Sequence, residues 1–206
     1  DTHALSEPAF ASAISVLVAN GVDVCIQSDM GFTPTPVISR LIIIYNRHQA
    51  ALADGLIITP SHNPPCDGGI KYNPPHGGPA QGSITSQIEQ RANEIIANGM
   101  KDVKSVSYSE ALNSQHVHKE DFIDFYVTQL NEVINFDQIS AKNIKIGVDP
   151  LGGSGIDYWP VIAQKYNLNI EVVNKVVDSS FSFMSLDKDG KIRMDCSSPY
   201  AMAGLI

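Results

Sequence analysis

Between Thr59 and Lys71 the sequence gathers a hydroxyl, an imidazole, an amide, a carboxylate and an amine in one short stretch: Ser61, His62, Asn63, Asp67 and Lys71. Pro60, Pro64 and Pro65 bracket the first three, and Gly68-Gly69 stand just before the lysine strand. A serine hydroxyl becomes a useful nucleophile when a neighbour takes its proton or when its environment balances the charge that develops. An imidazole or an amine can take that proton. Prolines restrict φ, so a loop built on them loses less entropy when it is fixed in one shape. The stretch therefore reads as a candidate functional loop, of the kind α/β proteins place at strand ends. Its reading without chemistry is a proline-bracketed turn whose polar side chains cap backbone groups.

Other patterns in the chain each lack a residue they need. A serine hydrolase elbow has glycine two residues before and two after the nucleophile, where Thr59 and Asn63 stand here. A P-loop requires a lysine after its second glycine; the stretch Gly147 to Ser154 has Gly153 at that place. A dinucleotide fingerprint begun at Gly153 meets Tyr158 where glycine or alanine belongs. The run Asp187-Lys188-Asp189-Gly190 resembles part of an EF-hand loop, but Cys196 falls where the closing glutamate must be. These segments read as turns.

The elements around the loop follow from periodicity and punctuation. Ser6 is an N-cap candidate with Pro8 inside the first turn, and Phe10, Ile14, Leu17 and Val18 recur at helical spacing up to the stop at Asn20-Gly21. Val22 to Ile26 reads as a strand, Gly31 to Pro36 as a turn, and the chain to about His48 as a second helix. Leu56 to Ile58 reads as a short buried strand that Thr59-Pro60 terminates, because proline has no N–H to continue a ladder. Ile70 to Tyr72 is a further strand leaving the loop.

Downstream, Ser83 to Met100 is helical with Ile84, Ile88, Ile95 and Ile96 on one side, and 101–117 reads as polar and irregular. A helix from Lys119 carries Phe122, Phe125, Tyr126, Leu130 and Ile134 in period. A new β-α-β unit then runs through Ile144 to Val148, Gly152 to Gly155, Ile156 to Tyr166 and Leu168 to Val173. The expected class is α/β, a mixed sheet with helices on both faces. A complete first domain is expected over residues 1–140, and the beginning of a second, similar domain over 141–206. The absent initial methionine and the apolar run at Ala201 to Ile206 give the expectation that the sequence is part of a longer chain.

Composition excludes some partners. With 22 acidic against 14 basic residues, the chain lacks the basic footprint of a nucleic-acid binder. Its apolar runs, such as Leu41 to Tyr45, are too short to span a bilayer. Cys25, Cys66 and Cys196 lack metal-like spacing, and so sparse a set fits reduced thiols in a cytoplasm better than a disulfide framework.

Thr59-Pro60-Ser61-His62-Asn63-Pro64 followed by Gly69-Ile70-Lys71 resembles the phosphoserine-loop signature of the α-D-phosphohexomutase superfamily. The surrounding Pro64-Pro65 and Lys71-Tyr72-Asn73-Pro74-Pro75-His76-Gly77-Gly78-Pro79 resemble its bacterial phosphoglucomutase branch. So do Asp1 to Ser6, Gly31 to Pro36, Gly147 to Gly155 and Met194 to Ser198, which makes the chain similar to the N-terminal portion of such enzymes.

The resemblance implies a reversible conversion of glucose 1-phosphate to glucose 6-phosphate, with glucose 1,6-bisphosphate as intermediate and activator. Ser61 would carry the phosphoryl group, Lys71 would transfer a proton beside it, and His62 would orient the serine or donate to the phosphate. Asn63 and His3 would line the substrate site; His3 stands where many superfamily members have arginine. Mg²⁺ would be held by an oxygen of phosphorylated Ser61 and by an Asp-x-Asp-x-Asp-Arg loop expected beyond Ile206, so that these residues alone would be inactive. The implied partner is a small sugar phosphate, with room for a homodimer and with no nucleic acid or membrane. Three alternatives stand: a phosphomannomutase, a phosphoglucosamine mutase, and a non-catalytic phosphoprotein or binding module that keeps the loop.

Overall fold

The Thr59–Lys71 stretch closes an antiparallel pair. In the computed structural model, which describes residues 1–205, β2 (Gly55–Ile58) pairs with β3 (Ile70–Asn73) in a register that sets Ile58 opposite Ile70 and Ile57 opposite Lys71. The ladder runs one step into the loop, where the Thr59 N–H donates to the Gly69 carbonyl at 2.8 Å. Residue 69 has to be glycine for this approach: a Cβ there would lie 2.7 Å from the Thr59 oxygen and 3.2 Å from Pro60 Cα.

The hairpin rests on α2 (Thr35–His48), whose entry is fixed by Pro34 at the N-cap and Pro36 in the first turn. Buried Asn73 joins the two, its side-chain amide donating to Ser39 Oγ at 3.1 Å and to the Gly77 carbonyl at 3.0 Å. Before them come α1 (Ser6–Ala19) and β1 (Val24–Gln27). After them α3 (Gly82–Ala97) leads to α4 (Tyr108–Leu112), β4 (Val117–Glu120) and α5 (Phe122–Gln129). A 3₁₀ turn at Leu130–Glu132 and α6 (Phe136–Ala141) follow, then β5 (Ile146–Val148), α7 (Tyr158–Lys165) and β6 (Ile170–Val172). The class is mixed α/β, with helices and small sheets: β1 with β4 and β5 with β6 are parallel, and β2 with β3 is antiparallel.

Several expectations change. The two strands flanking α2 are not hydrogen-bonded neighbours; β1 pairs with β4, setting Val24 opposite Val117 and Gln27 opposite Glu120. The stretch from Val117 to Glu120 is thus a strand, although its polar residues alternate with nothing apolar beyond Val117. The helix after it starts at Phe122, because Asp121 accepts the Asp124 N–H at 2.9 Å as its cap. The segment read as irregular contains α4, opened by a capping box in which Ser107 and Glu110 satisfy each other's backbone N–H. Ile84, Ile88 and Ile96 of α3 are exposed rather than packed.

Two apolar clusters hold the helices. Val37, Phe122, Val127, Phe136, Tyr158 and Ile162 join α2, α5, α6 and α7, with the Phe136 and Tyr166 rings stacked at 3.7 Å. Ile14, Ile26 and Ala111 join α1, β1 and α4. A third cluster, Leu151, Phe181, Met184 and Ala201, organises the irregular C-terminal segment. Gly152 to Gly155 form a turn, as do Asp187 to Gly190, where the Gly190 N–H donates to the Asp187 carbonyl at 2.9 Å. No helix among the described residues is long and apolar enough to cross a membrane.

Candidate active site

Ser61 sits in the left-handed region at φ 67°, a conformation costly for a residue with a Cβ. Its local partners explain why it persists. The Ser61 N–H donates to Thr59 Oγ1 at 2.9 Å, and the Asn63 N–H donates to the Pro60 carbonyl at 3.4 Å. A second turn follows, closed by Asp67 N–H to the Pro64 carbonyl at 2.9 Å. Thr59 and Pro60 are buried while Ser61, His62 and Asn63 are exposed, so the loop presents its three polar residues on a sunken base.

That base includes the first residues of the chain. Asp1 Oδ2 accepts the Thr59 hydroxyl at 2.5 Å and lies 3.1 Å from His3 Nδ1. His3 Nε2 lies 3.0 Å from the carbonyl oxygen of Asn63. A carbonyl only accepts, so Nε2 carries the proton in that contact. The His3 ring packs 5.0 Å from Phe181 and is 3% exposed. Burial lowers its pKa, while the Asn63 carbonyl and Asp67 raise it.

The opposite side comes from the C-terminal segment. The Met194 N–H donates to the His62 carbonyl at 3.3 Å. A cleft of about 440 Å³ opens between residues 63–67 and the 186–193 segment, with Asn63, Asp67, Lys191 and Arg193 among its walls. Arg193 Nη2 donates to Asp189 Oδ2 at 2.6 Å, a pair that raises the guanidinium pKa. Earlier in the same segment the Asp178 carboxylate accepts the hydroxyls and the N–H groups of Ser180 and Ser182, which hold its pKa well below the usual carboxylate range. Those bonds shape the turn that carries Phe181, itself at φ 51°.

Of the residues singled out in the sequence, Ser61, His62 and Asn63 lie together at the exposed crest. Lys71 is exposed on β3, two residues beyond the point where Gly69 closes the loop. His3 lies beneath the crest, with both ring nitrogens occupied. Sequence reading did not single out Asp1 or the Thr59 hydroxyl as parts of the site. Their link spans 58 positions, and no local spacing rule reports such a contact.

This arrangement has known counterparts. Residues 1–98 match the phosphoglucomutase/phosphomannomutase α/β/α domain I. Over the whole chain the sequence is 54% identical to a phosphoglucomutase of Komagataeibacter xylinus, 37% of whose length the chain covers. These likenesses place residues 1–98 beside a phosphoglucomutase/phosphomannomutase domain and make the whole chain similar to part of a phosphoglucomutase.

More distant relatives include a phosphoglucosamine mutase of Gloeothece citriformis, 26% identical across 76% of this chain and 29% of the relative. Among solved structures, the fold matches the open form of parafusin, a Paramecium phosphoglucomutase, with a TM-score of 0.71 at 22% identity, over 89% of this chain and 36% of that one. The chain thus spans 29–37% of the length of these relatives. Within it the metal site of a phosphohexomutase is not assembled: among the described residues no group of three His, Cys, Asp or Glu could hold a metal ion. A phosphate on Ser61 would offer one oxygen ligand, a donor type that suits Mg²⁺.

Proposed function

We propose that the whole protein is a phosphoglucomutase, interconverting glucose 1-phosphate and glucose 6-phosphate through a phosphorylated Ser61. The observation that carries this reading is the Ser61 loop, exposed at its crest and pinned below, in a chain 54% identical from end to end to a phosphoglucomutase. In this reading the bond from phosphorus to Ser61 Oγ breaks as a bond to a sugar hydroxyl oxygen forms. The sugar hydroxyl gives up its proton, and the serine oxygen leaves as an alkoxide that must gain one. Lys71, entering β3 beside the loop closure, is assigned the proton at Ser61 Oγ. Glucose 1,6-bisphosphate then returns its other phosphoryl group to Ser61.

Phosphoryl transfer of this kind depends chiefly on positioning and charge balance, which is what a preset loop supplies. His62 is assigned to the phosphate and Asn63 to the sugar phosphate at the mouth of the cleft. Mg²⁺, when bound, would neutralise charge on the phosphate oxygens; its remaining ligands are assigned to parts of the protein outside these residues. Residues 1–140 are taken as the phosphoserine-bearing domain and 141–206 as the opening of the next, in a cytoplasmic enzyme that acts on a small sugar phosphate.

The distant phosphoglucosamine mutases support a related choice of sugar, but their identity of 24–29% against 54% favours glucose. The test is an assay of the whole protein with glucose 1-phosphate, Mg²⁺ and a trace of glucose 1,6-bisphosphate. Turnover abolished by Ser61→Ala supports the reading. Turnover that survives this change removes Ser61 as the nucleophile, and a folded protein without turnover leaves a phosphoprotein or binding module.

A further inference from the structure

The Ser61 crest is held by a chain of bonds that begins outside the loop. Thr59 has one hydroxyl proton, and it goes to Asp1 Oδ2 at 2.5 Å. The hydroxyl oxygen then has a lone pair free for the Ser61 N–H at 2.9 Å. On the far side of the serine, His3 Nε2–H reaches the Asn63 carbonyl at 3.0 Å, and His3 Nδ1 returns to the same Asp1 oxygen at 3.1 Å. Asp1 is therefore the common anchor of two arms that grip the backbone on either side of Ser61.

This grip has a physical task. A serine at φ 67° is held in a strained conformation, and such strain persists only where the surroundings over-determine it. Without the Thr59 hydroxyl, the Ser61 N–H loses its partner and the backbone can relax to an ordinary turn, which re-aims the Cα–Cβ bond and with it Oγ.

We infer that Thr59 and His3, anchored on Asp1, are positioning residues that hold Ser61 in its left-handed conformation and so aim Oγ for group transfer. Neither group touches substrate in this assignment. It rests on Ser61 being the phosphoryl carrier, and it moves His3 from lining the substrate site to supporting it from below. Phe181 completes the support by packing on the His3 ring.

The test compares Thr59→Val, which keeps the shape and removes the relay, with Thr59→Ser, which keeps the hydroxyl, both in the whole protein. Thr59→Val is expected to lower kcat about 10²-fold, the scale of an Å-sized misplacement, with KM changed less than about twofold. Thr59→Ser is expected to recover most of that loss. An unchanged kcat in Thr59→Val, or a serine variant as impaired as the valine one, overturns the assignment.

A second readout needs no turnover. Hydrogen exchange of the Ser61 amide is expected to be slow in the wild type and at least about tenfold faster in Thr59→Val; an unprotected Ser61 amide in the folded wild type overturns the assignment even if valine prevents folding. If the wild type exchanges slowly yet Ser61→Ala keeps full mutase activity, the grip stands and the phosphoryl-carrier reading fails.

Discussion

Met194 donates its backbone N–H to the carbonyl oxygen of His62 at 3.3 Å, so the residue after the nucleophile candidate is tied to a segment more than a hundred positions downstream. The first residues of the chain hold the same loop from below through Thr59 and Asn63. The Ser61 loop is thus fixed by its own prolines, by the chain start and by the C-terminal segment.

Gly69→Ala should distort the loop at its closure. A methyl group there meets the Thr59 carbonyl oxygen at 2.7 Å, a backbone atom that cannot swing aside. Relief requires opening the Thr59–Gly69 bond, at a cost of about 1–3 kcal/mol, as for other overpacked sites. Urea denaturation should show this loss, and mutase assays of the whole protein should show a fall in kcat. A variant with an unchanged midpoint and unchanged kcat would mean that the closure is not rigid.

Asp178 should make stability depend on acid. Its folded pKa is depressed, first by the Ser180 hydroxyl bond and then by the Ser182 hydroxyl bond. A depressed carboxylate stabilises the fold above its unfolded pKa of about 4 and loses that contribution as pH falls through the folded value. The stability gap between wild type and Asp178→Asn should therefore narrow as pH drops below about 4. A gap independent of pH in denaturation curves would show that these four bonds do not favour the ionised carboxylate.

Much of this architecture was legible in the sequence, for physical reasons that also mark the limit. The proline and glycine punctuation around Ser61 acts locally, so the loop and the strand after it could be read directly. β4 escaped because Val117-His118-Lys119-Glu120 lacks the apolar alternation of a half-buried strand. The pairing of β2 with β3 rather than β1 depends on closure at Thr59 and Gly69, a tertiary fact. His3 could be placed near the site only by resemblance, and its burial beneath Asn63 follows from a contact across 60 positions. Helix α3 shows the converse: its isoleucines recur as a buried face would, yet the fold leaves three of them exposed.

Cys25 should be the slow thiol although its surface is exposed. Burial of its sulfur, with Glu120 beside it, pushes its pKa up to about 12. The thiolate is the reactive form, so at pH 8 alkylation of Cys25 should run at least about 100-fold slower than that of free cysteine. Mass spectrometry of an iodoacetamide time course reads this out. Labelling of Cys25 as fast as free cysteine would show that Glu120 and burial do not protect it.

The most direct measurement follows the phosphoryl group itself. The whole protein, carrying an isotopically labelled phosphoryl group on Ser61 and freed of excess bisphosphate, is mixed with an equimolar amount of unlabelled glucose 1-phosphate, and the label on protein and sugars is followed through a single turnover. The account predicts that the label leaves Ser61 for the sugar, passing through glucose 1,6-bisphosphate into glucose 6-phosphate while Ser61 takes up the sugar's unlabelled phosphoryl group, and that Ser61→Ala neither carries nor transfers it. Conversion of glucose 1-phosphate to glucose 6-phosphate while Ser61 keeps its label, or with Ser61→Ala fully active, would contradict it.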